Sequence, residues 1–396
     1  MKPTILFVTT SSNWPLTDGK RQRTWFLIEA LAKKYTIDLL LMGYEKEKEQ
    51  IQNAGSSLRD VYFISLKNSS FLQPGYPSFL LSGKLRKQKT LFLNQVNDFF
   101  LNTYSKYKYE FVFSRYLEPL VAVPSNLNIK IVCDVDDVYF EKYQTRIKNE
   151  NSLIRKAKLK VLFYLGSRKV KNILSRIDIP IVVKESDRSF YGLKNAACLP
   201  NLPFSFFINQ EKIPKITSID APSKILSFGF IGKLSYKPNS HGLINFINSI
   251  WNPLMMNNFE ARLVIAGSGE IPEILRSIIS SSKNIDLLGF VETPEFFWNK
   301  ISVLVVPIAE GGGSNIKIAE AFINGKNVIA HPFASRGYES FIDSRYLILP
   351  QNDDHWIEVM NSILVLTPEQ RRFLSEKANN MFDLTNWNQS LLTIMS

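Results

Sequence analysis

Short apolar runs recur along the chain, separated by longer stretches with helical spacing. In the first half they are Ile5–Val8, Ile37–Leu41, Val61–Ile64, Phe111–Phe113, Ile129–Cys133 and Ile179–Val183. In the second half they are Leu226–Ile231, Leu263–Ala266, Ile285–Leu288, Val303–Val306 and Val328–Ala330. Runs that are apolar at consecutive positions predict strands buried on both faces, as in parallel sheets. Between the first two runs, Trp25, Phe26, Ile28, Leu31 and Ala32 are arranged for burial on a helix. Between the last two, Ile316, Ala319, Phe322 and Ile323 predict a core-facing helix stripe, with Ser314 or Asn315 as its cap and Gly325 closing it. Strand and helix alternate in both halves, which predicts an α/β protein with two Rossmann-like domains. Pro203, Pro214 and Pro222 mark the stretch between them as a linker. The expected division is 1–203, a linker over 204–222, and a second domain over 223–380.

Length agrees, since 396 residues are too many for one ordinary domain. No apolar run reaches the roughly 18 residues of a membrane span, and the first residues read as a strand rather than a leader. Cys133 and Cys198 lie in apolar runs and read as buried thiols. His241, His331 and His355 have no metal-ligand spacing. The net charge of +12 points to an anionic partner. Much of it sits between Lys142 and Arg176, where basic residues interrupted by Val161–Leu165 suggest a basic amphipathic helix pair. Such helices fit an anionic membrane surface, or a solvated cover on the first domain. Phe71–Leu81, apolar and broken by Pro74, Gly75 and Pro77, reads either as a loop facing acceptor or membrane, or as a helix packed on the sheet. No nucleic-acid module is present.

The densest chemistry follows the run Val303–Val306. Gly311, Gly312, Gly313 and Ser314 form a turn without obstructing side chains, placed where a helix starts. Backbone N–H groups and the helix dipole favour an anion there. Lys317 and Glu320 share a helix face, a cation near that anion and a carboxylate one turn on. A nucleoside diphosphate offers the matching pyrophosphate and ribose diol. A tight strand–helix connection with a solvated face would look the same. In the first half, Asp134, Asp136 and Asp137 end a buried strand, where open α/β sheets bind ligands. Asp134-Val135-Asp136 could hold a metal, or the carboxylates could accept a hydrogen bond or a proton from a ligand, or cap the next helix.

The segment PIAEGGGSNIKIAEAFINGKNVIA resembles the signature of the group 1 glycosyltransferases of GT-B fold, in the branch with a Gly-Gly-Gly turn. The resemblance implies that Glu320 holds the donor ribose. Where many members carry a Glu against the donor sugar, eight positions before Glu320, this chain has Gly312. It also implies that Lys233 and Lys237, after the Leu226–Ile231 run, neutralise the leaving diphosphate beside Gly232 and Gly267. Phe290 and Val291 then lie near the base, and Gly311–Ser314, Asn315 and Lys317 near the phosphates. Gly19 would let the first loop approach the donor, with Asp18, Lys20, Arg23 and Asp134 on the acceptor side. Asp136 and Asp137 match the acceptor-side motif near the reacting carbon. The segment 381–396, with Trp387, would cross back to the first domain.

Taken together, the expectation is a GT-B protein whose domains face across a cleft, the first for the acceptor and the second for the nucleotide-sugar donor. The reaction is transfer of a sugar from a UDP- or GDP-linked donor to a glycan or lipid-linked acceptor. By the resemblance it retains anomeric configuration and requires no metal or other cofactor. Domain closure would exclude water. The expected place is the cytoplasm, peripheral on the inner membrane face, with no nucleic-acid partner. A nucleotide-sugar epimerase and a non-catalytic GT-B scaffold remain open, the second because of Gly312.

Overall fold

The computed structural model describes all residues except 1, 15–18, 53–56, 74–80, 105, 137–143, 145–146, 149, 204–224, 312–313, 344 and 396, and except the side chains of 52, 104 and 190. Asp18, Asp137, Gly312, Gly313, the linker, most of Phe71–Leu81 and part of Lys142–Arg176 therefore lie outside the described residues.

The chain divides into two compact units, Met1–Pro200 with Thr385–Ser396, and Asn201–Leu384. The first contains β1 (Thr4–Thr9), β2 (Thr36–Gly43), β3 (Asp60–Ser65), β4 (Phe111–Arg115), β5 (Lys130–Val135), β6 (Ile179–Val182) and β7 (Ala197–Cys198). The second contains β8 (Leu226–Ile231), β9 (Ala261–Ala266), β10 (Ile285–Gly289), β11 (Val303–Val306), β12 (Asn327–Ala330) and β13 (Leu347–Ile348). Their orders are β3-β2-β1-β4-β5-β6-β7 and β10-β9-β8-β11-β12-β13. The pairings within both are parallel. Both are doubly wound, as the apolar runs require. In each the strand order reverses once, at β1/β4 and at β8/β11, and ligands of open α/β sheets bind beyond the strand ends at such points.

Sheet cores are built from those runs. Ile5–Val8 and Val303–Val306 are completely buried. Asp38, buried in β2, accepts from Arg59 Nε at 2.9 Å and from the Tyr109 hydroxyl at 2.7 Å. The helix Ile316–Ile323 buries Ile318, Ala319, Ala321, Phe322 and Ile323, so Ile318 and Ala321 take core places and Ile316 is half-buried. Gly325, at φ +62°, follows that helix in the left-handed region. Asn315 makes no side-chain cap bond at the helix start, and its amide nitrogen donates to Ala334 O at 3.1 Å.

The last helix, Leu384–Ile394, packs on the first unit. The Trp387 indole donates to Pro200 O at 2.7 Å and its ring lies 6.1 Å from that of Phe26. The division falls at Pro200/Asn201, a few residues before the expected 203. Within the basic segment one long helix is described, Leu153–Leu174. Cys133 is buried, whereas Cys198 is only half-buried.

Candidate functional site

In the second unit the ends of β8, β9 and β10 are tied by backbone bonds. Gly232 N donates to Ala266 O at 3.1 Å, Leu234 N to Ser268 O at 2.8 Å, and Gly267 N to Gly289 O at 2.8 Å. A Cβ on Gly267 would overlap the Gly232 carbonyl oxygen, so two backbones meet there with no room for a side chain. Around Gly232 two side chains converge. A Cβ on that residue would stand 2.7 Å from Lys317 Nζ and 3.0 Å from Asn239 Nδ2. Asn239, on the helix Lys237–Phe246, donates to Lys233 O at 2.9 Å and accepts from Lys317 Nζ at 3.2 Å. It thus links the loop after β8 to the helix Ile316–Ile323. Lys317 Nζ also sits 4.2 Å from the Phe230 ring centroid. Burial pulls the Lys317 ammonium down to about 7, against the opposing effect of Glu320. A half-buried cation with no carboxylate hydrogen-bonded to it among the described residues is suited to an incoming anion.

Gly311 begins the turn before that helix at φ +120°, a backbone open to glycine and strained for other residues. A Cβ there would lie 3.2 Å from the Tyr236 hydroxyl and 3.3 Å from Pro238, so the turn rests on the β8 loop. Ser314 Oγ accepts from the Asn201 amide at 2.8 Å, and the Tyr338 hydroxyl donates to Asn315 O at 3.0 Å. Glu320 follows Lys317 by three residues and is half-buried. Lys233, Lys237 and Phe290 are exposed and Val291 is half-exposed. Arg336, after β12, donates to Phe333 O at 2.8 Å and stacks on the Phe333 ring, while burial lowers its guanidinium to about 10.

In the first unit a chain of buried charges runs along the strand ends. Arg23, from the helix Gly19–Ala32, grips Asp134 with Nε–Oδ2 at 2.9 Å and Nη2–Oδ1 at 2.7 Å. The same guanidinium donates to Leu199 O and Pro200 O. Arg115, at the end of β4, has Nη1 2.8 Å from Asp134 Oδ2 and Nη2 2.7 Å from Asp136 Oδ2. Arg115 and Asp134 are fully buried. Tyr116 stacks under the Arg115 guanidinium at 3.8 Å and accepts from it at 2.7 Å, from a left-handed backbone at φ +75°. Lys20 Nζ lies 5.1 Å from the same ring. Burial would raise the Asp136 carboxyl, but Arg115 and Arg23 outweigh it and bring it to about 2. Beyond β6, Lys184 Nζ pairs with Asp187 at 3.7 Å. Burial raises the Asp187 carboxyl to about 6, with Lys184 opposing and the Asp136 charge reinforcing. Asp136 Oδ1, Asp187 Oδ2 and both amide atoms of Asn13 are buried without hydrogen-bond partners among the described residues.

These positions sort the sequence-derived candidates. Gly232, Gly267, Gly311, Ser314, Asn315, Lys317 and Glu320 gather on β8, β9, β11 and the helix that follows it. Gly19, Lys20, Arg23, Asp134 and Asp136 gather on the first sheet. Asp134 and Arg23, expected on the acceptor side, are sealed inside a buried ion pair and act as supports for Asp136. Held at about 2 by Arg115 and Arg23, the Asp136 carboxylate is suited to hydrogen-bond acceptance more than to proton uptake near neutral pH. Sequence reasoning assigned no site role to Asn239, Arg336, Arg115, Tyr116, Asn13 or Asp187. A signal existed for Arg115, a lone cation closing the apolar run Phe111–Phe113.

No curated protein matches the sequence. Residues 226–365 match the family model described as "Glycosyl transferases group 1". Among solved structures, sucrose-phosphate synthase from Thermosynechococcus elongatus is 15% identical with a TM-score of 0.64, covering 100% of this chain and 97% of its own. The Anabaena protein Alr3699/HepE, solved in complex with UDP, is 14% identical with a TM-score of 0.64, covering 99% of both chains. An alpha,alpha-trehalose-phosphate synthase (UDP-forming) from Burkholderia vietnamiensis is 12% identical with a TM-score of 0.65, covering 100% of this chain and 97% of its own. At such identities the likeness establishes the fold, and the family match falls within the second unit. Residues 226–365 thus match the group 1 glycosyl transferases, and the chain as a whole shares the two-sheet α/β fold of these GT-B structures.

Proposed function

We propose that the second unit binds a nucleotide-sugar and the first an acceptor hydroxyl, and that the sugar passes to that hydroxyl with retained anomeric configuration and without a resident metal. The observation that carries this reading is the convergence of Lys317 and Asn239 on Gly232, beside a glycine turn at a helix start. Breaking the sugar–phosphate bond leaves charge on the diphosphate. Lys317, the exposed Lys233 and Lys237, and the backbone N–H groups of Gly311 and Ser314 answer that charge. Glu320 takes the ribose hydroxyls. Asp136, a carboxylate throughout the neutral range with one oxygen unpartnered among the described residues, orients the acceptor hydroxyl; Asp137 stands next to it in sequence. Gly312, where many relatives have Glu, implies that the donor sugar is held by other groups. UDP in the Anabaena structure favours a UDP-linked donor over a GDP-linked one. The acceptor is a glycan or lipid-linked sugar of surface polysaccharide or glycoconjugate synthesis, reached at the cytoplasmic membrane face through the basic segment.

The test is incubation with UDP- and GDP-linked sugars, with and without a panel of glycan and lipid-linked acceptors. Nucleoside diphosphate released together with a glycosylated acceptor supports transfer. An altered sugar nucleotide formed without acceptor identifies an epimerase, and no turnover with any donor favours the scaffold reading.

A further inference from the structure

A cavity of about 480 Å³ opens in the second unit between the loop 339–346 and the helix Pro368–Met381. Tyr346 O accepts from Val328 N at 2.8 Å, which puts this cavity beside the start of β12. Gly232 and Gly267 follow the opposite ends of β8 and β9, so the two places are distinct. The wall is aromatic. Phe373 is 54% exposed, and its ring lies 6.1 Å from that of the buried Tyr346, 29° from parallel. Leu374 and Ala378 of the same helix are buried, so Phe373 stands off the core. Fully buried Phe341 lines the cavity with them. Charged groups of both signs surround the rings. Lys377 Nζ donates to Ser340 O at 2.6 Å and lies 4.6 Å from the Phe341 ring centroid. Arg345 Nε lies 3.5 Å from Asp343 Oδ1, and both side chains are open to water. Glu369 is exposed in the first turn of the helix.

Two cations, Arg345 and Lys377, balance two carboxylates, Asp343 and Glu369, so the lining selects neither an anion nor a cation. Its charged heads are hydrogen-bond donors and acceptors side by side. An apolar side chain of a partner protein could cover the rings, but it would strip water from those charges and replace it with nothing. A pyranose meets both demands. Its C–H face covers an aromatic ring, while hydroxyls at its edge give to carboxylates and accept from a guanidinium. We infer that this cavity is a second saccharide site, holding a neutral sugar unit of a glycan with its ring face on Phe373 and its hydroxyls on Arg345, Asp343 and Glu369. The volume falls in the range of roughly 300–1,000 Å³ usual for small-ligand clefts. No bond is made or broken there; the site holds a chain. The inference goes beyond the proposed transfer and depends on neither its donor nor its acceptor groups.

The test is saturation-transfer difference NMR and calorimetry of the full chain with glucose, galactose, maltotetraose and cellotetraose, each with and without UDP. Glucuronate serves as an anionic control. Two variants accompany it, Phe373→Ala and Arg345→Gln/Glu369→Gln. All three side chains are exposed, and circular dichroism checks that both variants fold. The expected result is that at least one neutral saccharide binds, that UDP does not displace it, and that glucuronate binds no better than glucose. Each variant weakens saccharide binding at least about fivefold and leaves UDP binding as in wild type. Failure of all four neutral saccharides to bind, tighter binding of glucuronate, or a folded Phe373→Ala that binds like wild type overturns the inference. Displacement by UDP would assign the saccharide to the donor site and overturns it equally. Glu320→Ala, which addresses the donor site, leaves saccharide binding unchanged, so the two readings fail separately.

Discussion

Lys317 Nζ donates to Asn239 Oδ1 at 3.2 Å, so the cation of the family motif is held ready by a side chain 78 residues earlier in the chain. The amide fixes its direction without neutralising its charge. A diphosphate arriving at Gly232 supplies the missing anion and favours the protonated lysine. Since burial sets the free group near 7, nucleotide affinity should be highest below that pH and fall as pH rises through it. Titration of the nucleoside diphosphate from pH 6 to 9 checks this, and Lys317→Met should flatten the profile. Asn239→Ala should weaken binding by about 1 kcal/mol through loss of that orientation.

The buried charges of the first unit predict a separation of stability from chemistry. Arg115→Met leaves Asp134 and Asp136 short of a cation inside the fold and should destabilise by about 3–5 kcal/mol. Asp136→Asn keeps shape and size, so it should fold, bind nucleotide as wild type does, and lose transfer to acceptor. Denaturant melts paired with nucleotide titrations of both variants test this.

Asp187 makes a pH prediction of opposite kind. Its folded value is raised above the unfolded one, so the stability it contributes is complete below about 4 and is lost as pH rises through about 6. Asp187→Asn has no such loss. The stability of the variant relative to wild type should therefore increase by about 1–3 kcal/mol between pH 4 and pH 7. Urea midpoints at the two pH values measure it, and equal shifts at both would contradict the assignment.

At the Gly232–Gly267 contact a methyl group meets backbone, which cannot swing aside. Gly267→Ala should cost about 1–3 kcal/mol of stability and disturb nucleotide binding together with it. Gly311→Ala should act mainly through its left-handed backbone, lowering stability by about 1–2 kcal/mol.

Much of this was legible in the sequence because it depends on neighbours along the chain. Val303–Val306, the glycine turn, Lys317 and Glu320 form one local unit, and consecutive apolar residues announce parallel strands wherever they occur. What was hidden depends on strand order. Arg115 and Asp136 are brought together only because β4 and β5 pair, and Asp187 joins them only because β6 lies next. The sequence makes Asp134 look as available as Asp136, since it does not reveal that Arg23 folds over one and not the other. Asn315 looks like a cap until Ala334 O is found within its reach. The contact of Trp387 with Pro200 had no signal in the sequence.

The donor site is the central claim, and calorimetric titration of UDP, GDP and ADP into wild type and Glu320→Ala tests it most directly. The account predicts that one nucleoside diphosphate binds, with UDP the strongest candidate, and that the substitution weakens it by about 1–3 kcal/mol through loss of a charged hydrogen-bond acceptor. Binding of none of the three, or equal binding by wild type and variant, would contradict it.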